Sequence, residues 1–175
     1  MNLMVDKLAK SSLAFFLVIL IGVSFSFASV ADGNPMLASF HPPEPGHPAP
    51  DFELKDLSGT SIHLSAFRDR KPVLFYFWAT WCPHCTASRS RIAKLREDIP
   101  RAELEIFGIN VGAGDSLKRV KRFQKSHPVS WPMLYDEDEK VTRTYQVQGI
   151  PLYILVNEEG QIVYRGHELP NPKEY

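Results

Sequence analysis

The stretch Val73-Leu74-Phe75-Tyr76-Phe77-Trp78-Ala79-Thr80-Trp81-Cys82-Pro83-His84-Cys85 decides how this chain folds. Val73 to Phe77 is a short unbroken apolar run behind Pro72, the pattern of a strand covered on both faces. From Pro83 the period becomes helical, with Ala87, Ile92, Leu95 and Ile99 expected on one face and Pro100 ending the helix. Cys82 therefore falls at a strand-to-helix junction. Pro83 takes the first helical position, where its missing N–H costs nothing.

That placement carries the chemistry. The unpaired N–H groups of the first helical turn and the helix dipole favour thiolate over thiol at Cys82, and thiolate is the attacking species. Cys82 is thus the expected nucleophile, and Cys85, one turn further in, the expected resolving cysteine. His84 between them can donate a hydrogen bond or place positive charge beside the thiolate, which stabilises the reduced form and makes the disulfide more oxidising. These are the only two cysteines. A stapled secreted scaffold would spread more of them along the chain, and a structural zinc site would need two further ligands of suitable spacing. The expectation is a dithiol cycling with a Cys82–Cys85 disulfide, with no metal and no cofactor.

Charge supplies no partner. Twenty basic and twenty acidic side chains cancel, so no net field draws the chain as a whole to nucleic acid or anionic lipid.

The N-terminus reads as an export segment. Lys7 and Lys10 precede an apolar run from Leu13 to Val23, followed by small residues at Ser26, Ala28, Ser29 and Ala31. Residues 1–31 are expected to be a signal peptide cleaved after Ala28 or Ala31, or a membrane anchor. Either leaves the remainder outside the cytoplasm, in the periplasm of a bacterium. Residues 32–50, with Pro35, Pro42, Pro43, Pro45, Pro48 and Pro50, read as a proline-rich linker, and His41 and His47 as its solvated residues.

Residues 51–175 form the expected domain. Phe52 and Leu54, a Ser58-Gly59 turn, then Ile62 and Leu64 alternate as a hairpin, with His63 on its polar side. A third strand suits Leu104 to Val111, and Gly112 and Gly114 make a loop. Asp115 or Ser116 caps a basic helix ending near His127, and Asp136 to Tyr145 reads as another helix. A hairpin from Leu152 to Arg165 closes the order. Helices between strands imply crossovers and an α/β fold on a central, partly parallel sheet. Trp131-Pro132 and the basic run Lys118 to Lys125 read as structural, the second as a solvated helix face.

The stretch from Phe77 to Cys85, with Ala49-Pro50-Asp51-Phe52, Ile109-Asn110-Val111-Gly112 and Gly149-Ile150-Pro151, resembles the TlpA/ResA-like thioredoxin-related proteins over roughly residues 48–167. The resemblance implies a thioredoxin fold with a central mixed sheet, an N-terminal β-hairpin extension and a central helical insertion. It implies protein thiol and disulfide substrates, a membrane redox partner, and a place in cytochrome c maturation for a reductant. It also implies a cis peptide before Pro151, facing the dithiol. There Ile150 would present its backbone to a substrate chain, Pro151 would keep metal off the cysteines, and Trp81 would contact substrate. Three departures stand out. Tyr76 replaces a buried carboxylate and Ala113 replaces a glutamate of some members, so neither proton-handling group carries over. The chain stops at Tyr175, where a closing helix is expected. Only the Pro83-His84 dipeptide resembles the DsbA-type oxidants.

Two other functions compete. A peroxiredoxin-like peroxidase shares the Pro50-Asp51-Phe52 opening, but Thr80-Trp81-Cys82 misses its threonine–cysteine spacing by one residue. A Cu(I) carrier would use Cys82, Cys85 and one histidine, soft ligands for a soft ion.

Overall fold

The computed structural model describes residues 42–174, so the expected signal or anchor and most of the linker lie outside the described residues. Seven strands, β1 (Glu53–Asp56), β2 (Ser61–His63), β3 (Val73–Trp78), β4 (Glu105–Asn110), β5 (Met133–Tyr135), β6 (Leu152–Val156) and β7 (Ile162–Gly166), form one sheet. Its order is β2-β1-β5-β4-β3-β6-β7. Three helices, α1 (Pro83–Asp98), α2 (Leu117–Ser126) and α3 (Lys140–Thr144), supply the crossovers. This is the expected α/β thioredoxin architecture: a mixed sheet extended by the β1–β2 hairpin, with an insertion between β4 and β6.

β3 lies inside the sheet, and every one of its residues is buried. It pairs parallel with β4 and antiparallel with β6, in the registers Trp78↔Asn110 and Phe77↔Leu152. The end of β3, the end of β4 and the start of β6 thus meet at one edge of the sheet. Side chains alternate across it. Phe75 and Phe77 meet Tyr145 at 5.2 and 5.9 Å, and Phe52 joins Phe75 at 5.7 Å. Tyr76 stacks on Tyr153 at 5.9 Å, and Trp78 meets Phe123 of α2 at 5.5 Å.

Three expectations need correction. Ala87 is exposed, and the buried face of α1 carries Cys85, Ser88, Arg89 and Ile92. The buried face includes Arg89, whose guanidinium carbon stands over two rings, 5.3 Å from Trp78 and 5.4 Å from Phe123, and which donates to Gln124 at 2.8 Å and to the His127 carbonyl. Between α2 and α3 stands a strand, β5, too short for any alternation to register. A turn over residues 136–139 follows it and confines the third expected helix to Lys140–Thr144. There buried Asp136 serves the helix start, accepting from Val141 N–H at 3.2 Å and Thr142 N–H at 2.7 Å.

The proline-rich stretch also joins the fold before Asp51. Gly46 N–H donates to Ile162, Ile162 N–H to His47, and Ala49 N–H to Gly160, at 2.8 to 2.9 Å. Pro48 faces Gln161 as an antiparallel bridge, and Ala49 is buried. His47 and His63 are both exposed.

Candidate active site

The dithiol sits where β3 runs into α1. Cys82 is the residue before the helix, and its sulfur accepts the Cys85 N–H at 3.1 Å. Pro83 occupies the first turn. The two sulfurs are joined as a disulfide, with the Cα atoms 5.3 Å apart. Both cysteines are buried, while Pro83 and His84 between them are exposed. The His84 carbonyl accepts from Ser88 Oγ at 2.9 Å.

Against the pair stands the loop that opens β6. The Ile150–Pro151 peptide is cis, and Cys82 Sγ lies 3.8 Å from the Ile150 carbonyl oxygen. β-sheet register produces this approach: Phe77, near the end of β3, pairs with Leu152, so the residues before Leu152 fall beside those after Trp78. His167, just past β7, holds its Nδ1 2.8 Å from the Pro151 carbonyl oxygen. Its ring lies 3.4 Å from where a Cβ on Gly149 would stand.

The other wall is the loop after β4. Trp81 is half exposed, its indole N–H donating to the Ala113 carbonyl at 2.9 Å. Gly114 has φ +69, and a Cβ there would stand 3.0 Å from the indole nitrogen, so glycine is required on both counts. Beneath the loop lies Asp115, whose side chain has no solvent exposure. It accepts from Thr80 N–H (2.8 Å), Thr80 hydroxyl (2.5 Å) and Asn110 Nδ2 (2.8 Å), and pairs with Arg119 at 3.5 Å. Asn110 in turn accepts the Gly112 N–H at 3.1 Å.

Cys82, Pro83, His84, Cys85, Trp81, Ile150 and Pro151, singled out from the sequence, thus come together. Asp115, Asn110 and His167 were missed as parts of the site. Asp115 looked only like a helix cap, a role Ser116 performs by accepting from Arg119 N–H at 3.3 Å. No local pattern marks His167, because its partner lies sixteen residues away across a hairpin. Tyr76 is wholly buried, its hydroxyl 3.9 Å from Met133 Sδ, and burial pushes its phenol well above the usual tyrosine range. It therefore stays protonated near neutral pH. Among the described residues no three His, Cys, Asp or Glu side chains converge as metal ligands. No helix among them is long and apolar enough to cross a membrane.

The chain is similar in sequence and in fold to known proteins. The sequence profile of the AhpC/TSA family matches residues 45–165. The thiol-disulfide oxidoreductase ResA of Bacillus subtilis (strain 168) is 36% identical over 118 residues, which are 67% of this chain. The match spans 64% of that relative, just under two thirds of its length. The ResA of Halalkalibacterium halodurans is 31% identical over 151 residues, covering 86% of this chain and 81% of that protein. Among solved structures, a putative protein disulfide isomerase from Bacteroides thetaiotaomicron superposes with a TM-score of 0.63 at 28% identity, covering 70% of this chain and 77% of that one. A putative thiol:disulfide interchange protein DsbE from Chlorobium tepidum shares the fold, with a TM-score of 0.65 at 24% identity over 75% and 89% of the two chains. With the profile covering most of its length and a relative matched over four fifths of its own, this chain belongs to the AhpC/TSA family and, within it, to the thiol-disulfide oxidoreductases of ResA type.

Proposed function

We propose that this chain is an extracytoplasmic protein thiol-disulfide oxidoreductase in which Cys82 is the nucleophile and Cys85 resolves. The observation that carries the reading is the surroundings of one sulfur. Cys82 Sγ accepts an N–H from the first turn of α1 and lies 3.8 Å from the Ile150 carbonyl. The N–H and the helix dipole stabilise negative charge there. The Ile150 backbone beside Pro151 would offer an incoming chain groups for β-like pairing.

In the reducing direction, Cys82 thiolate attacks one sulfur of a substrate disulfide. The Cys82–substrate bond forms, the substrate S–S bond breaks, and the leaving thiolate takes a proton from solvent. Cys85 thiolate then attacks Cys82 Sγ, closing the Cys82–Cys85 disulfide and releasing the second substrate thiol. Two electrons pass to the substrate. The disulfide form runs the same steps backwards and accepts two. A membrane redox partner outside the cytoplasm would restore the starting state, and the basic and apolar segment from Lys7 to Val23 supports that location. His84, exposed beside the pair, makes the disulfide more oxidising by favouring thiolate and so the reduced form.

The test is trapping. Cys85→Ala should accumulate a mixed disulfide between Cys82 and substrate, resolvable by dithiothreitol on a gel. Cys82→Ala should form none and should neither reduce insulin nor oxidise a reduced protein; activity surviving that change would overturn the reading. The potential of the pair, measured against glutathione, assigns the direction. Peroxide consumption with a thiol donor would move the assignment to the peroxidase alternative.

A further inference from the structure

The basic run from Lys118 to Lys125, which reads as an ordinary solvated face in the sequence, has a particular place in the fold. α2 carries Lys118, Arg119, Lys121, Arg122 and Lys125, all exposed, and no acidic residue. Of these, Arg119 alone is paired, with Asp115. Among the described residues no hydrogen bond or ion pair engages the side chains of Lys118, Lys121, Arg122 or Lys125. In a chain whose charges cancel overall, this is a concentrated positive patch.

The patch adjoins the dithiol. A cleft of about 270 Å³ is lined by Thr80, Arg119, Arg122, Phe123 and Ser126. Thr80 precedes Cys82 by two residues, which places the two within about 7 Å along the chain. Asp115 binds Thr80 with both oxygens and pairs with Arg119, so the start of α2 is fixed to the loop that carries the nucleophile. Arg89 fixes the other end of α2 to α1 through the His127 carbonyl. The cations are therefore held beside the dithiol by two buried anchors.

We infer that α2 is a docking surface for an acidic segment of the polypeptide substrate, lying next to the cysteine that Cys82 attacks. This rests on the oxidoreductase reading and adds a substrate class to it. Charge complementarity selects the partner. Four cations without a side-chain partner among the described residues, of which Arg122 lines the cleft and the others follow on the same helix, attract carboxylates, and opposed charges raise the encounter rate far more than the final affinity. Exposed pairs are screened by salt, so the preference belongs to low and physiological ionic strength.

The experiment compares two peptide disulfides alike except that glutamates flanking the cystine in one are glutamines in the other. The full chain should turn over the acidic peptide with a kcat/KM about tenfold higher, carried by KM. The advantage should vanish in molar salt, and with Lys118→Gln, Lys121→Gln, Arg122→Gln and Lys125→Gln combined. The neutral peptide serves as the reference for folding and chemistry in that variant. Equal rates with both peptides, or a preference surviving neutralisation, overturn the docking surface while leaving the oxidoreductase reading intact. Binding of a cysteine-free glutamate-rich peptide, followed by fluorescence anisotropy, separates the two failures. If it is lost in the variant while no disulfide is exchanged, the surface stands and the enzyme reading falls. Sedimentation with phosphatidylglycerol vesicles, abolished by the four changes while neither peptide is preferred, would assign the patch to a lipid surface and overturn the proposal.

Discussion

Asp115 holds Thr80 by two bonds at once, its carboxylate accepting the Thr80 backbone N–H at 2.8 Å and the hydroxyl at 2.5 Å. The carboxylate is shut off from water and belongs to the loop after β4, whereas Thr80 leads directly into Trp81 and Cys82. One side chain thus joins the loop after β4 to the segment that carries the dithiol.

Asp115→Ala should therefore loosen the approach to Cys82 as well as destabilise the fold. Bonds to a charged acceptor contribute roughly 1.5–3 kcal/mol each, but they share one group and Arg119 is left to solvent. A net loss of about 2 kcal/mol follows. Chemical denaturation checks the stability. The specific readout is Trp81: its fluorescence should shift as Ala113 and Gly114 part from the indole, with insulin reduction slowed in step. Asp115→Asn, which keeps an acceptor for Thr80 N–H, should recover part of both.

Arg89 is the second buried polar anchor. Its guanidinium lies over Trp78 and Phe123 and donates to Gln124 and the His127 carbonyl, and burial pulls its affinity for the proton below the ordinary arginine value. Loss of a charged hydrogen bond and a desolvated cation–π contact should make Arg89→Ala about 3 kcal/mol less stable. Arg89→Met, which keeps the apolar stem against the rings, should lose clearly less. A equal loss in both variants would show that packing volume, not the guanidinium, holds α1 to α2.

The contrast between these residues shows where sequence reading succeeds. β3 and the first turn of α1 were legible because burial on both faces leaves an unbroken apolar run and Pro83 marks a helix start. β5 was not, since three residues between a turn and a loop show no period. Arg89 misled the helix face because its charge is satisfied by rings and a carbonyl contributed by β3 and α2, which no local pattern reveals. The same holds for the site. Residues that react, Cys82 and Cys85, announce themselves by type and spacing. Residues that position them, Asp115 and His167, depend on partners 35 and 16 residues away.

The hairpin extension should be the first element to weaken in acid. Asp56 caps its own turn, accepting from Ser58 N–H and Thr60 N–H at 2.8 and 2.9 Å. Asp51 ties the hairpin's far end, accepting from Phe52 and Ser65 N–H at 2.9 and 2.8 Å. Partial burial pushes both carboxyls up, but the hydrogen bonds from Ser65 and Phe52 at Asp51, and from Ser58 and Thr60 at Asp56, outweigh it and hold both below the ordinary value. A depressed carboxylate contributes stability that is fully present above its unfolded value near 3.9 and is lost as pH falls through the folded one. The melting temperature should therefore be level from pH 7 to about 5 and fall below about 4. Asp56→Asn should lower the plateau and flatten that fall; an unchanged slope in Asp51→Asn and Asp56→Asn together would place the acid sensitivity elsewhere.

His167 tests whether the loop opening β6 is set by its neighbours. With Nδ1 2.8 Å from the Pro151 carbonyl oxygen, its imidazole donates when that nitrogen carries the proton, and it packs against Gly149. The bond fixes the Pro151–Leu152 peptide, one residue on from Ile150, whose backbone would pair with substrate. A neutral hydrogen bond contributes about 1 kcal/mol, so His167→Ala should raise KM for a peptide disulfide about fivefold. A small disulfide such as hydroxyethyl disulfide needs no backbone pairing and should react with Cys82 at the unaltered rate. His167→Asn, which can still donate to Pro151, should restore KM. Equal slowing of both substrates would mean that His167 acts on the sulfur itself rather than on the chain-binding edge.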